Sequence, residues 1–133
     1  MIESSQTETA STTLKYGMVG GGEGAFIGDV HRKAINMDGM ADLVCGCFSS
    51  DPENTLRTGL GLGLEPARLY KTFEEMAVAE GKQDEPIDFV VIVTPNNTHY
   101  PVAKIFLENG INVVCDKPLT VTSAQARELK ELA

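Results

Sequence analysis

Residues 87–95 read IDFVVIVTP, an almost unbroken apolar and β-branched run. A strand with one solvated face alternates polar and apolar side chains, so a run of this kind predicts a strand covered on both faces. Residues 111–118, INVVCDKP, repeat the pattern, and LKYGMVG (14–20) and ADLVCGCFSS (41–50) are two further strand-like stretches. Helical spacing fills the intervals. It is expected over 27–37, with Val30, Ala34 and Met37 on one apolar stripe, and over 51–63, opened by Asp51-Pro52 and closed by glycines. Further helices are expected over about 72–80, over 98–110 with Pro101 in the first turn and Gly110 past the end, and after the capping-box pair Thr122 and Gln125. Strands and helices in alternation, with buried strands, predict an α/β fold. The expected form is a doubly wound, mostly parallel, Rossmann-like sheet with helices on both faces. Ligands of such sheets bind beyond the carboxyl ends of the strands, here 20–28, 48–51, 94–99 and 115–118.

The first strand end is glycine-rich: VGGGEGAFIGDVH, residues 19–31. One register reads Gly20 to Ala25 as G-x-G-x-x-A, a dinucleotide-loop fingerprint; the other takes Gly28 as the glycine that packs helix on strand, which lengthens the loop by three residues. A glycine-rich turn without a ligand also fits. Glu23 is out of place in such a loop, since a carboxylate repels a pyrophosphate unless it turns outward. The second end offers Phe48, Ser49 and Ser50 where an acid usually binds the adenosine ribose. The nearest acid, Asp51, precedes a proline and is expected to cap the following helix. Two hydroxyls without a carboxylate tolerate a 2′-phosphate, so the pattern favours NADP over NAD. Arg57 is a candidate counter-charge or a solvated surface arginine.

The third end, VTPNNTHYP, reads largely as a turn followed by a helix cap, and leaves His99 without an apolar stripe to join. The fourth, CDKP, sets Asp116 and Lys117 directly after a buried strand. A lysine there can orient a substrate hydroxyl or act in proton transfer, or can simply be solvated.

Composition removes several function classes. A chain of 133 residues is one domain by length, and its formal charge of −8 argues against a general nucleic-acid partner or a basic membrane-binding face. No apolar run approaches the span of a membrane. Residues 1–12 lack the positive start and apolar core of a signal peptide and read as a disordered polar leader, leaving 13–133 as the folded domain. Cys45, Cys47 and Cys115 lack metal or redox spacing and read as buried free thiols in a reducing cytoplasm, so no metal site is expected.

Together, the loop ending in Gly28-Asp29-Val30-His31, the TPNNTH segment and VVCDKPLT (113–120) resemble the amino-terminal domain of the Gfo/Idh/MocA oxidoreductases. The resemblance covers 14–133; Asp116 replaces the glutamate of the family's Glu-Lys-Pro signature. It implies a nicotinamide cofactor and oxidation of a secondary alcohol on a sugar, polyol or cyclitol. It further implies that Lys117 is the catalytic lysine beside the nicotinamide, that Asn96 and His99 lie beside the nicotinamide ribose, and that Lys117-Pro118 is a cis peptide. The spacing from Gly28 to His31 favours the longer register. Gly20 and Gly22 then form the turn and the close backbone approach, Gly24, Ala25 and Phe26 extend over the phosphates, and Gly28 packs the helix. Ser49, Ser50, Thr94, Pro95 and Asp116 complete the expected cofactor set.

The family's second domain, which supplies the substrate pocket, is expected to be absent from this chain. This chain is therefore expected to bind dinucleotide without efficient turnover. Residues 111–115 are expected as an apolar sheet edge that invites self-association into a homo-oligomer. The alternative function is a module that senses NAD(P) without chemistry.

Overall fold

The structure is a computed structural model that describes residues 13–133. The leader reading concerns residues outside that range. Four strands, β1 (Leu14–Gly20), β2 (Ala41–Cys47), β3 (Phe89–Val93) and β4 (Asn112–Cys115), form one sheet in the order β2-β1-β3-β4. Every pairing is parallel, as the unbroken apolar runs require. Chain order departs from sheet order between β2 and β3, so β1 and β3 are neighbours at the switch point where such sheets bind ligands. The helices are α1 (Phe26–Asn36), α2 (Pro52–Gly61), α3 (Phe73–Gly81), α4 (His99–Glu108) and α5 (Ser123–Leu132).

Alternation along the strands divides the core in two. Val90 and Ile92 of β3 face one cluster with Met76 and Ala77 of α3, Phe106 of α4 and Leu129 of α5. Val91 and Val93 face the other, with Tyr16 and Met18 of β1 and with Ile27 and Ile35 of α1 packed against it. Helices thus cover both faces, and Cys45 and Cys47 lie buried on one of them.

Local signals set the helix ends. Asp51 Oδ1 accepts from Glu53 N at 3.0 Å and caps α2. Thr122 and Gln125 form the capping box of α5. Gly110, at φ +79°, ends α4 in a Schellman turn, with Ile111 N donating to Phe106 O and Gly110 N to Leu107 O.

The expected stripe on α1 is not the buried one. Val30, Ala34 and Met37 are exposed, whereas Gly28 is buried and Ile27, His31, Arg32 and Ile35 are partly buried. Gly28 seats against Gly21 so closely that a Cβ on it would overlap the Gly21 Cα. That contact sets the helix's rotation, and the stripe, about half a turn away, points to solvent.

Candidate functional site

A cavity of about 560 Å³ opens at the carboxyl ends of β1, β2 and β3. Gly20 and Gly21 present bare backbone to it, and Ala25 stands at the entrance to α1. Ser49 and Ser50 border it beyond β2, and Thr94 and Pro95 beyond β3. Val19, Phe48, Phe73, Val93 and Val102 make much of its wall apolar. Lys71, Thr72 and Glu74 close the remaining side. A hollow of about 480 Å³ at the amino ends of the strands, lined by Leu14, Lys15 and Asp88 among others, contains no predicted site residue.

The glycine loop adopts the longer register. Gly20 has φ +88° and passes so near β3 that a Cβ would sit 2.9 Å from the Val93 carbonyl carbon. Gly21, at φ +77°, carries the contact with Gly28 and is a lining residue the fingerprint did not single out. A turn over residues 22–25, closed by Ala25 N to Gly22 O at 2.9 Å, contains Gly24 at φ +88°.

Gly22 makes its close approach to protein. Its N donates to Phe48 O at 2.9 Å, and a Cβ would sit 2.5 Å from Asn54 Oδ1. Glu23 turns outward to Arg57, with Oε1 3.2 Å from Arg57 Nε. Its own N donates to Asn54 Oδ1 and Thr58 Oγ1 of α2. The Glu23 carboxylate is thereby paired, and Arg57 is occupied by it.

Beyond β2, Ser49 Oγ accepts from Asp51 N at 3.1 Å, and the Ser49 main chain bonds Thr55 Oγ1. The Ser49 hydroxyl keeps its proton free to donate, and Ser50 is exposed. Burial pushes the Cys47 thiol, which also borders the cavity, up to about 11, and Cys115 likewise to about 11. Neither supplies a thiolate nucleophile at neutral pH.

His99 is fully buried. Its Nδ1 lies 2.6 Å from Pro118 O and its Nε2 2.9 Å from Thr94 O. Both ring nitrogens thus face main-chain carbonyls, and a given tautomer donates to one of them. The ring holds the loop after β3 against the loop after β4. Lys117, exposed and followed by a cis peptide to Pro118, is carried on that second loop. Asp116 Oδ1 lies 3.7 Å from His31 Nε2 of α1.

Six of the predicted residues thus border the cavity: Gly20, Ala25, Ser49, Ser50, Thr94 and Pro95. Gly22, Gly24, Phe26, Gly28, Asn96, His99, Asp116 and Lys117 are not among its lining residues. Of these, Gly28 and His99 shape the loops that border it.

Residues 14–133 match the sequence model of the oxidoreductase family with an NAD-binding Rossmann fold. The chain belongs to the Gfo/Idh/MocA family. An uncharacterized oxidoreductase of Bacillus subtilis (strain 168), YfiI, is 40% identical over 92% of this chain and 32% of its own length. Among solved structures, an oxidoreductase from Sinorhizobium meliloti is 52% identical with a TM-score of 0.83, over 91% of this chain and 34% of that one. An inositol dehydrogenase homolog from Azotobacter vinelandii, in complex with NADH and myo-inositol, is 36% identical with a TM-score of 0.89, over 92% and 32%. The chain spans about a third of the length of these relatives. It is the NAD-binding domain of a Gfo/Idh/MocA oxidoreductase. No helix among the described residues is long and apolar enough to cross a membrane.

Proposed function

We propose that this chain binds a nicotinamide dinucleotide, NADP in preference to NAD, as the cofactor domain of a dehydrogenase acting on a secondary alcohol of a polyol, sugar or cyclitol. The observation that carries the reading is the cavity at the switch point. It has glycine backbone on one wall, hydroxyls at the tip of β2 and an apolar slot between. Those surfaces suit a pyrophosphate, a ribose and a flat heteroaromatic ring respectively. The myo-inositol complex of the Azotobacter homolog supports a cyclitol or polyol as the substrate class.

Gly20, Gly21 and Ala25 would hold the pyrophosphate, Ser49 and Ser50 the adenosine ribose, and Thr94 and Pro95 the nicotinamide half. The nicotinamide, when bound, supplies the acceptor or donor of a hydride. Lys117 would orient the substrate hydroxyl and serve its proton, with His99 placing the loop that carries it. The preference for NADP rests on Asp51, whose carboxylate caps α2 instead of standing free beside the ribose. On this reading the domain works with a substrate domain, and it binds cofactor alone without efficient turnover. The exposed edge of β4 offers a surface for pairing with a second copy.

Titration of the chain with NADPH and with NADH, followed by the fluorescence of the reduced nicotinamide, tests the proposal. Saturable binding of both, tighter for NADPH, is expected. No binding of either would overturn the dinucleotide reading, and a tenfold preference for NADH would overturn the NADP assignment.

A further inference from the structure

We infer that Lys71, in the connector between α2 and α3, is the residue that selects a 2′-phosphorylated adenosine ribose. The inference rests on the dinucleotide reading above and assigns its specificity to a side chain far in sequence from β2. Lys71 borders the same cavity as Ser49 and Ser50. A short 3₁₀ turn, Pro66–Arg68, leads into this connector, which then runs alongside β2. Leu69 bridges Gly46 in parallel, and Tyr70 N donates to Gly46 O at 2.9 Å.

The flanks of Lys71 are firmly held. Tyr70 Oη donates to Glu80 Oε2 at 2.7 Å, and Arg68 grips the same fully buried carboxylate through Nη2 at 2.5 Å and Nε at 3.1 Å. Thr72 Oγ1 accepts from Glu75 N at 3.1 Å and caps α3. The lysine is thus anchored by its neighbours at the tip of β2, while its own side chain remains exposed.

Charge accounting separates it from the two arginines nearest the tip of β2. Arg57 pairs with Glu23 and Arg68 with Glu80. Lys71 has no acidic partner within ion-pair distance among the described residues. A ribose 2′-phosphate is a monoester carrying roughly −1.5 to −2 charges at neutral pH. In a chain of net charge −8, it needs a local cation, with hydroxyl donors beside it. Ser49, Ser50 and Lys71 are that combination. Glu74, in the first turn of α3, borders the cavity and opposes it.

The experiment is a set of titrations of the chain with NADPH, NADH, 2′,5′-ADP and 5′-ADP, using wild type, Lys71→Ala, Lys71→Arg and Glu74→Gln. Lys71→Ala is expected to weaken NADPH and 2′,5′-ADP about tenfold, the scale of one charge-assisted hydrogen bond. NADH and 5′-ADP should shift less than about twofold, within the range of weak exposed-charge effects. Lys71→Arg should restore binding of the phosphorylated pair, and Glu74→Gln should tighten it. Equal weakening of all four ligands by Lys71→Ala would overturn the inference, as would no change in any. If wild type binds neither NADPH nor NADH, the dinucleotide reading itself fails. If NADH binding is lost only in Glu74→Gln, that carboxylate and not Lys71 is the ribose determinant.

Discussion

His99 Nδ1 lies 2.6 Å from the carbonyl oxygen of Pro118, nineteen residues along the chain. With Nε2 placed 2.9 Å from Thr94 O, one buried imidazole joins the ends of β3 and β4. A ring tautomer carries one N–H, so removing the ring leaves one part-buried main-chain carbonyl without its donor. His99→Phe is therefore expected to lower stability by about 2 kcal/mol, and His99→Gln, which keeps a donor group, by less. Urea denaturation measures both. Amide exchange should quicken in residues 116–120 and 94–98 before it does elsewhere; a uniform change across the sheet would contradict a local staple.

Gly28 and Gly24 answer differently to the same methyl group. A Cβ on Gly28 overlaps Gly21, whereas at Gly24 there is open space but a positive φ of +88°. Gly28→Ala should cost about 2 kcal/mol or more through backbone displacement. It should also weaken dinucleotide binding, because Gly21 borders the cavity. Gly24→Ala should cost about 1 kcal/mol from conformation alone. Thermal unfolding with and without NADPH separates the two cases.

Glu23 is paired away from the cavity with Arg57, both side chains more than half exposed. Glu23→Gln should therefore change NADPH affinity less than about twofold, since exposed pairs contribute little. A severalfold tightening in a binding titration would instead mean that the carboxylate repels the cofactor.

Lys117→Ala should leave NADPH affinity nearly unchanged, because the lysine is not among the lining residues of the cavity. In the chain joined to a substrate domain, the same change should lower the rate of hydride transfer about a hundredfold or more, the scale of a lost proton-transfer group. A rate that survives would overturn the assignment of proton transfer to Lys117.

Burial raises Cys47 from an ordinary value near 9 to about 11. Cys45 is raised as well, by burial first and then by the nearby Glu80. The folded state therefore holds these protons more tightly than the unfolded chain. The stabilisation is fully present below about pH 8.5 and is lost as pH rises towards 11. Its slope is about 1.4 kcal/mol per pH unit for each thiol that titrates. Denaturation midpoints measured from pH 7 to pH 10.5 should fall on the alkaline side. Cys45→Ser and Cys47→Ser should each flatten that fall.

The elements and their order were readable because their signals are local. The β-branched run at 89–93 declares a buried strand, and the Thr122–Gln125 and Asp51–Glu53 caps act within a few residues. Strand-end chemistry also pointed to the end of the sheet at which the cavity opens, since such sheets bind ligands beyond the carboxyl ends of their strands. The partners across that end were not readable in the same way. Whether α1 buries Val30 or Ile35 depends on its rotation, and a glycine–glycine contact sets that rotation. Whether Glu23 faces a phosphate, whether His99 is free, and whether Lys71 reaches the tip of β2 depend on neighbours 34, 19 and more than 20 residues away. Hydrophobic period and capping fix a residue's element within a turn or two. Only the packing of one element on another brings such distant side chains within bonding distance.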